Sequence, residues 1–198
     1  MNETMISEIQ RLFYDHIIDD ATAVEANEYL YNGIPAPLIR YYLQCKEGKE
    51  YLQSDMTKNL IFYMPYNECA AFQMSNNIND RFNVTQTIRN AMLADNSNRH
   101  IKKDPFKSVE VNFEATDEIC DVIDCIGANE NLEEIAAALR NIADCFKEQI
   151  EKIEGRAFDV VLGVVHGEQV INDEALRTPH IHFLLIRCKQ SQKKSDKQ

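Results

Sequence analysis

Three of the five histidines in this chain stand close together, at His166, His180 and His182. His180 and His182 flank Ile181, and a polar stretch, 167–179, separates them from His166. The apolar runs "FDVVLGVVH" and "HIHFLLIR" on either side of that stretch read as two strands. Consecutive strands of this kind usually pair antiparallel. Alternate side chains of a strand share a face, so His180 and His182 point one way and Ile181 the other. His166 then meets them across the ladder. Three imidazoles converging on one point make a divalent-metal site with coordination positions left open. A lone His-x-His also arises on any polar strand face. The third histidine on the neighbouring strand, and the scarcity of histidine elsewhere, favour the metal. Pro179 fixes the backbone just before the second strand and donates no hydrogen bond there.

Several three-histidine chemistries do not fit. Position 184 is Leu, where the histidine-triad nucleotide hydrolases need a further alternate His. The pair of His-x-Thr/Ser motifs of the two-histidine phosphoesterases is missing, and so is an HExxH helix. The stretch "VVHGEQVINDEALRTPHIHFLLI" instead resembles the hairpin of the MobV/Pre-type plasmid mobilisation relaxases, which belong to the HUH endonuclease superfamily. Those proteins carry a His, then Asp-Glu, then Thr-Pro-His-x-His, between two apolar strands. The matching residues are His166, Asp173, Glu174, Thr178, Pro179, His180 and His182. The order of a strand near 108–115, a long helix near 130–153 and then the paired strands is similar too. The resemblance covers 108–187 well and 57–107 loosely, and leaves 1–55 outside. "GEQVIN" intervenes between His166 and the Asp-Glu pair, and the spacing from Asp-Glu to Thr-Pro is also longer. A longer hairpin loop accommodates both, because closure entropy grows slowly with length.

The resemblance implies nicking and strand transfer on single-stranded DNA, with a covalent protein–DNA intermediate. Mn²⁺ or Mg²⁺ on His166, His180 and His182 would polarise the scissile phosphate and offset charge in the transition state. Glu174 takes the family's acidic position. The resemblance also implies a Tyr or His nucleophile N-terminal to the hairpin. Nothing beyond Arg187 serves, since the tail holds neither residue. The family has a His shortly after its first strand, but "NECAAFQMSNNINDR" contains none. Tyr66, at the end of that strand, and His100, in "NSNRHIKKDP", are the candidates; Tyr63 is expected to pack within the strand. Arg99, Lys102, Lys103 and Lys107 would suit DNA phosphates. An alternative reading is a catalytically inactive HUH-derived binding protein of a mobile element, acting on a protein partner; the acidic surface suits a basic one. A third is a metal-dependent hydrolase of another substrate on the same histidines.

The elements that hold these residues follow from periodicity. Residues 4–53 read as helices, with Ile6, Ile9, Leu12, Phe13 and Ile17 near a 3.6-residue spacing and a break at "NGIPAP". They are expected to form a small helical appendage over 1–55. Residues 56–187 are expected to form an α+β domain, an antiparallel sheet with flanking helices of the HUH relaxase type the resemblance implies. Strands are expected at 59–66 and 108–115, a helix at about 84–94, and a long amphipathic helix ended by Gly155. Residues 188–198 are expected to form a disordered basic tail.

The chain has 198 residues and a net charge of −11. Acidity on that scale argues against broad affinity for nucleic acid. The positive charge is segregated, however. Residues 56–107 carry seven basic and four acidic side chains, and 187–198 carry five and one. A local anion-binding surface requires such segregation. None of the six cysteines forms a CxxC pair. The start "MNETMISEIQ" lacks a basic and apolar leader, and no apolar run approaches the roughly 18 residues of a membrane span. A cytoplasmic protein with reduced thiols and no membrane partner is expected.

Overall fold

The computed structural model describes residues 22–25, 36–45, 55–63, 70–94, 106–171, 174–176 and 179–188. One sheet organises them. Its strands are β1 (Thr22–Glu25), β2 (Leu60–Tyr63), β3 (Ala70–Gln73), β4 (Phe106–Asn112), β5 (Phe158–His166) and β8 (His180–Arg187). They lie in the order β1-β4-β8-β5-β2-β3, every neighbouring pair antiparallel. Between β5 and β8 the chain forms a separate ribbon of β6 (Gln169–Ile171) and β7 (Glu174–Leu176). The stretch expected to be a polar loop is thus a paired ribbon over part of its length. The described α-helices are α1 (Ala36–Tyr42), α2 (Ile78–Ala94), α3 (Asp117–Gly127) and α4 (Leu132–Glu154). The chain is α+β, an antiparallel sheet with flanking helices.

The central strands are apolar because helices cover both faces. On one face α3 and α4 pack Ile119, Ile126, Ile135, Leu139 and Ile142 against Phe62, Val111, Ile181, Phe183 and Leu185. On the other, α1 and α2 pack Ile39, Leu43, Ile88 and Met92 against Ile61, Leu162, Val164, Leu184 and Ile186. β5 changes its parity partway. Val160 pairs with Leu185 but Leu162 pairs with Leu184, so Val161 is an extra residue, a β-bulge. Before the bulge, Phe158 and Val160 face α3 and α4. After it, Leu162, Val164 and His166 face α1 and α2.

Three expectations need correction. Residues 1–55 are not a separate helical appendage among the described residues: 22–25 is a strand paired with β4, and α1 shares a core with the sheet. A tetrapeptide such as TAVE is too short to show a period, and its partner β4 decides its state. β3 falls in the stretch expected to be loop; it is a partly exposed edge strand with no alternation to betray it. α2 starts at Ile78, well before the expected 84, because its inward stripe is Arg81, Thr85, Ile88 and Met92, half of it polar. No element is expected at 116–127. There Thr116 caps α3 by accepting from Ile119 N at 3.3 Å. Gly155 ends α4 in the left-handed conformation, φ 64°, as expected. Among the described residues no helix is long and apolar enough to cross a membrane.

Gly163 lies against the Phe62 ring, and a Cβ there would fall 2.0 Å from Phe62 Cζ. Gly163→Ala should therefore lower unfolding free energy by about 1–3 kcal/mol, the usual cost of overpacking, as read from urea denaturation midpoints. An unchanged midpoint would show that Phe62 is loosely held.

Candidate metal centre

The register of the central strands builds the site. His166 pairs directly with His180, and His182 lies opposite Val164. With the bulge in place, all three histidines face the α1–α2 side. Their ring centroids are 4.9 Å apart for His166 and His180, 5.3 Å for His166 and His182, and 5.0 Å for His180 and His182. One ligand atom from each lies within 4.8 Å of the other two. All are buried, at 1, 4 and 3% exposure respectively.

Neighbouring segments hold the rings in place. Gly167 follows His166 where a side chain would strike Ile123 Cγ2 at 2.5 Å and the Lys58 carbonyl oxygen at 2.7 Å. Its N–H donates to the buried Asn59 Oδ1 at 2.9 Å. At the other end, Phe113 N donates to the Pro179 carbonyl at 2.9 Å, extending the β4 ladder to the residue before His180. Tyr42 of α1 stacks on His182 at 4.6 Å, and its hydroxyl bonds Ser108 Oγ. Tyr41 meets the same ring edge-on at 5.9 Å. Glu110 sits opposite His182 on β4, its carboxylate 3.6 Å from His182 Nδ1. Gln44 Nε2 lies 2.9 Å from His166 Nδ1.

Burial sets the charge state. It holds His182 far below its ordinary pKa, to about 3, with His180 adding to the effect. The partly exposed Glu110 carboxylate does not offset the loss of water. His166 is pushed well below its ordinary value by burial first, then by His180 and His182; a hydrogen bond to the Tyr42 backbone pulls weakly the other way. Neutral imidazoles carry a lone pair for a cation, so His166 and His182 need no deprotonation near neutral pH. The three nitrogens suit a divalent ion and leave other coordination positions for water or substrate oxygens. The Gln44 Oε1 atom is buried and has no hydrogen-bond partner among the described residues. An imidazole N–H turned outward by an ion at its other nitrogen would satisfy it. These residues fit a metal.

No family model, curated protein or solved structure matches this chain.

The other expected site residues stand apart from the trio or outside view. Glu174 lies in β7 opposite Ile171; its side chain is outside those described. Tyr66, His100, Arg99, Lys102 and Lys103 lie outside the described residues, as do Asp173 and Thr178. Lys107 is not placed for DNA phosphates: it is buried, and its ammonium pairs with Glu154 at 3.1 Å. Sequence reading missed Tyr41, Tyr42, Gln44 and Glu110. Only Glu110 left a signal, as a polar member of the alternating strand 108–115.

His166 and His182 are neutral in the fold and take up protons on unfolding. Their stabilisation is complete above the unfolded value of about 6.5 and is lost as pH falls towards 3. In EDTA, unfolding free energy should fall by about 1.4 kcal/mol per pH unit for each group within that window. Urea midpoints against pH measure this. A flat profile between pH 6 and 4 would show that the rings are solvated.

Proposed function

We propose that this chain is a relaxase-type protein of HUH relaxase-like fold, performing metal-dependent nicking and strand transfer on single-stranded DNA through a covalent intermediate. One observation carries the reading: three buried, convergent imidazoles on adjacent central strands, within a hairpin that resembles the MobV/Pre type. A phosphodiester oxygen would take an open position on the ion, which would draw charge from the phosphorus as a side-chain oxygen or nitrogen attacks, the P–O3′ bond breaks and the sugar O3′ leaves, taking up a proton. The donor set bears on which ion. Mg²⁺ prefers oxygen ligands in near-ideal octahedra, so of the two expected ions three imidazoles favour Mn²⁺.

The nucleophile has a new candidate. Tyr41 is 50% exposed, lies against His182 and precedes the hairpin in the chain. It joins Tyr66 and His100. Depth of burial favours a second reading, the inactive HUH-derived binding protein acting on a protein partner. With the histidines at most 4% exposed beneath α1, a DNA strand reaches them only if α1 shifts.

Thermal unfolding in EDTA, Mn²⁺ and Mg²⁺ tests the metal. At 100 times its dissociation constant an ion adds about 2.7 kcal/mol. The rise should be larger with Mn²⁺ at equal concentration and absent in His180→Ala. No rise in the wild type removes the proposal. With metal bound, incubation with single-stranded oligonucleotides should give a covalent protein–DNA adduct, lost in one of Tyr41→Phe, Tyr66→Phe or His100→Ala. Metal binding with no adduct for diverse oligonucleotide pools supports the binding protein.

A further inference from the structure

We propose that Gln44 is a positioning residue of the metal centre: its carboxamide oxygen accepts the Nδ1–H of His166 and so directs the Nε2 lone pair of that ring to the ion. The inference rests on the metal reading above. Metal-bound histidines commonly give their second N–H to a carboxylate, a carbonyl or water, which fixes both tautomer and ring angle. His182 has a carboxylate facing its Nδ1 in Glu110, at 3.6 Å, longer than a hydrogen bond. The His166 ring also hydrogen-bonds the Tyr42 backbone, but the side chain placed at Nδ1 is Gln44, whose amide lies 2.9 Å from that nitrogen and is buried with it.

The two ends of the Gln44 amide are not equivalent in what they permit. With Nε2 toward His166, Nδ1 is an acceptor, and the proton sits on Nε2, where it blocks an ion. That orientation also leaves Oε1 buried and unpartnered among the described residues. A half-turn of the amide exchanges the ends. It gives Oε1 the Nδ1–H and frees the Nε2 lone pair. One rotation removes the orphan and completes the ligand set.

The backbone points the same way. Gln44 has φ 49°, a left-handed conformation that helix ends normally assign to Gly or Asn. A side chain kept at such a position is there for what it touches. Its conformation is pinned on both sides. Gln44 N donates to Tyr41 O at 3.0 Å, and Cys45 N to Arg40 O at 2.9 Å. The buried Arg81 donates to the Gln44 carbonyl at 3.3 Å while also gripping the carbonyls of Ser75 and Asn76. The guanidinium thus fastens the end of α1 to the start of α2, with the Gln44 side chain aimed at His166.

The test titrates Co²⁺ into the full chain and follows its visible absorption, for wild type, Gln44→Glu and Gln44→Met, with melting temperatures in EDTA as the folding control. Glu accepts but cannot donate, so Gln44→Glu should bind Co²⁺ at least as tightly as wild type. Met has similar size and no acceptor, so Gln44→Met should bind about 10–100-fold more weakly. With Zn²⁺ bound, histidine ¹⁵N spectra should place the His166 proton on Nδ1 in wild type and Gln44→Glu. Equal binding by wild type and Gln44→Met overturns the role of Gln44 and leaves the metal reading standing. Weaker binding by Gln44→Glu than by Gln44→Met also overturns it, because donation would then be what matters. No Co²⁺ binding by wild type removes both. If Gln44→Met does not fold, the His166 proton found on Nε2 in wild type or Gln44→Glu overturns the proposal.

Discussion

The arrangement of this molecule turns on one extra residue in β5. Side chains alternate along a strand, so a single insertion exchanges the faces of everything beyond it. The bulge at Val161 lets Phe158 and Val160 serve the core under α3 and α4, while Leu162, Val164 and His166 serve the opposite one. Without that change of parity His166 would face the same layer as Ile181, and His180 and His182 would stand without it. The pairing of β5 with β8 is therefore the site's scaffold as well as the centre of the fold. Gly163 and Gly167 are the places where that scaffold tolerates nothing larger, one against an aromatic ring and one against a backbone carbonyl.

Burial and chemistry are coupled here. A cluster of imidazoles open to water would be partly protonated near neutrality and would repel a cation. Under α1, His166 and His182 lose the option of charge, and the loss of solvation that makes those two neutral also strengthens any ion–dipole contact formed among the rings. The cover therefore does two things at once. Tyr42, Tyr41 and Gln44 keep water out, and they supply the contacts that orient the rings. Glu110, half-buried on β4, adds a carboxylate beside His182.

The histidine trio was legible because it is written in local order: a His-x-His period, an apolar run on each side, and one more His at the end of the first run. The strands β2, β5 and β8 announced themselves as apolar runs, β4 through alternation and the helix α4 through a helical stripe. What was not legible depends on partners far away in the chain. β1 is a strand because β4 presents an edge to it. α2 hides its inward face behind Arg81 and Thr85, whose burial is offset by the distant Gln44 carbonyl and by Cys45. The bulge leaves no trace in "FDVVLGVVH", because a run apolar on both faces has no phase to read. Gln44 looked like any polar residue near a helix end; its contact with His166 spans 122 positions, and no local pattern encodes it.

That span bears on how the chain assembles. β5 and β8 are the middle of the sheet and lie nearest the C-terminal end of the described chain. β1 with β4, and β2 with β3, can pair without them, but no strand ladder joins the two halves until β5 and β8 are in place. α1 is made long before its seat exists. Leu38, Ile39, Tyr42 and Leu43 lack their full cover until β5 and β8 pair, an interval in which apolar surface invites misassociation. The cover thus closes over the histidines only after the strands that carry them have met.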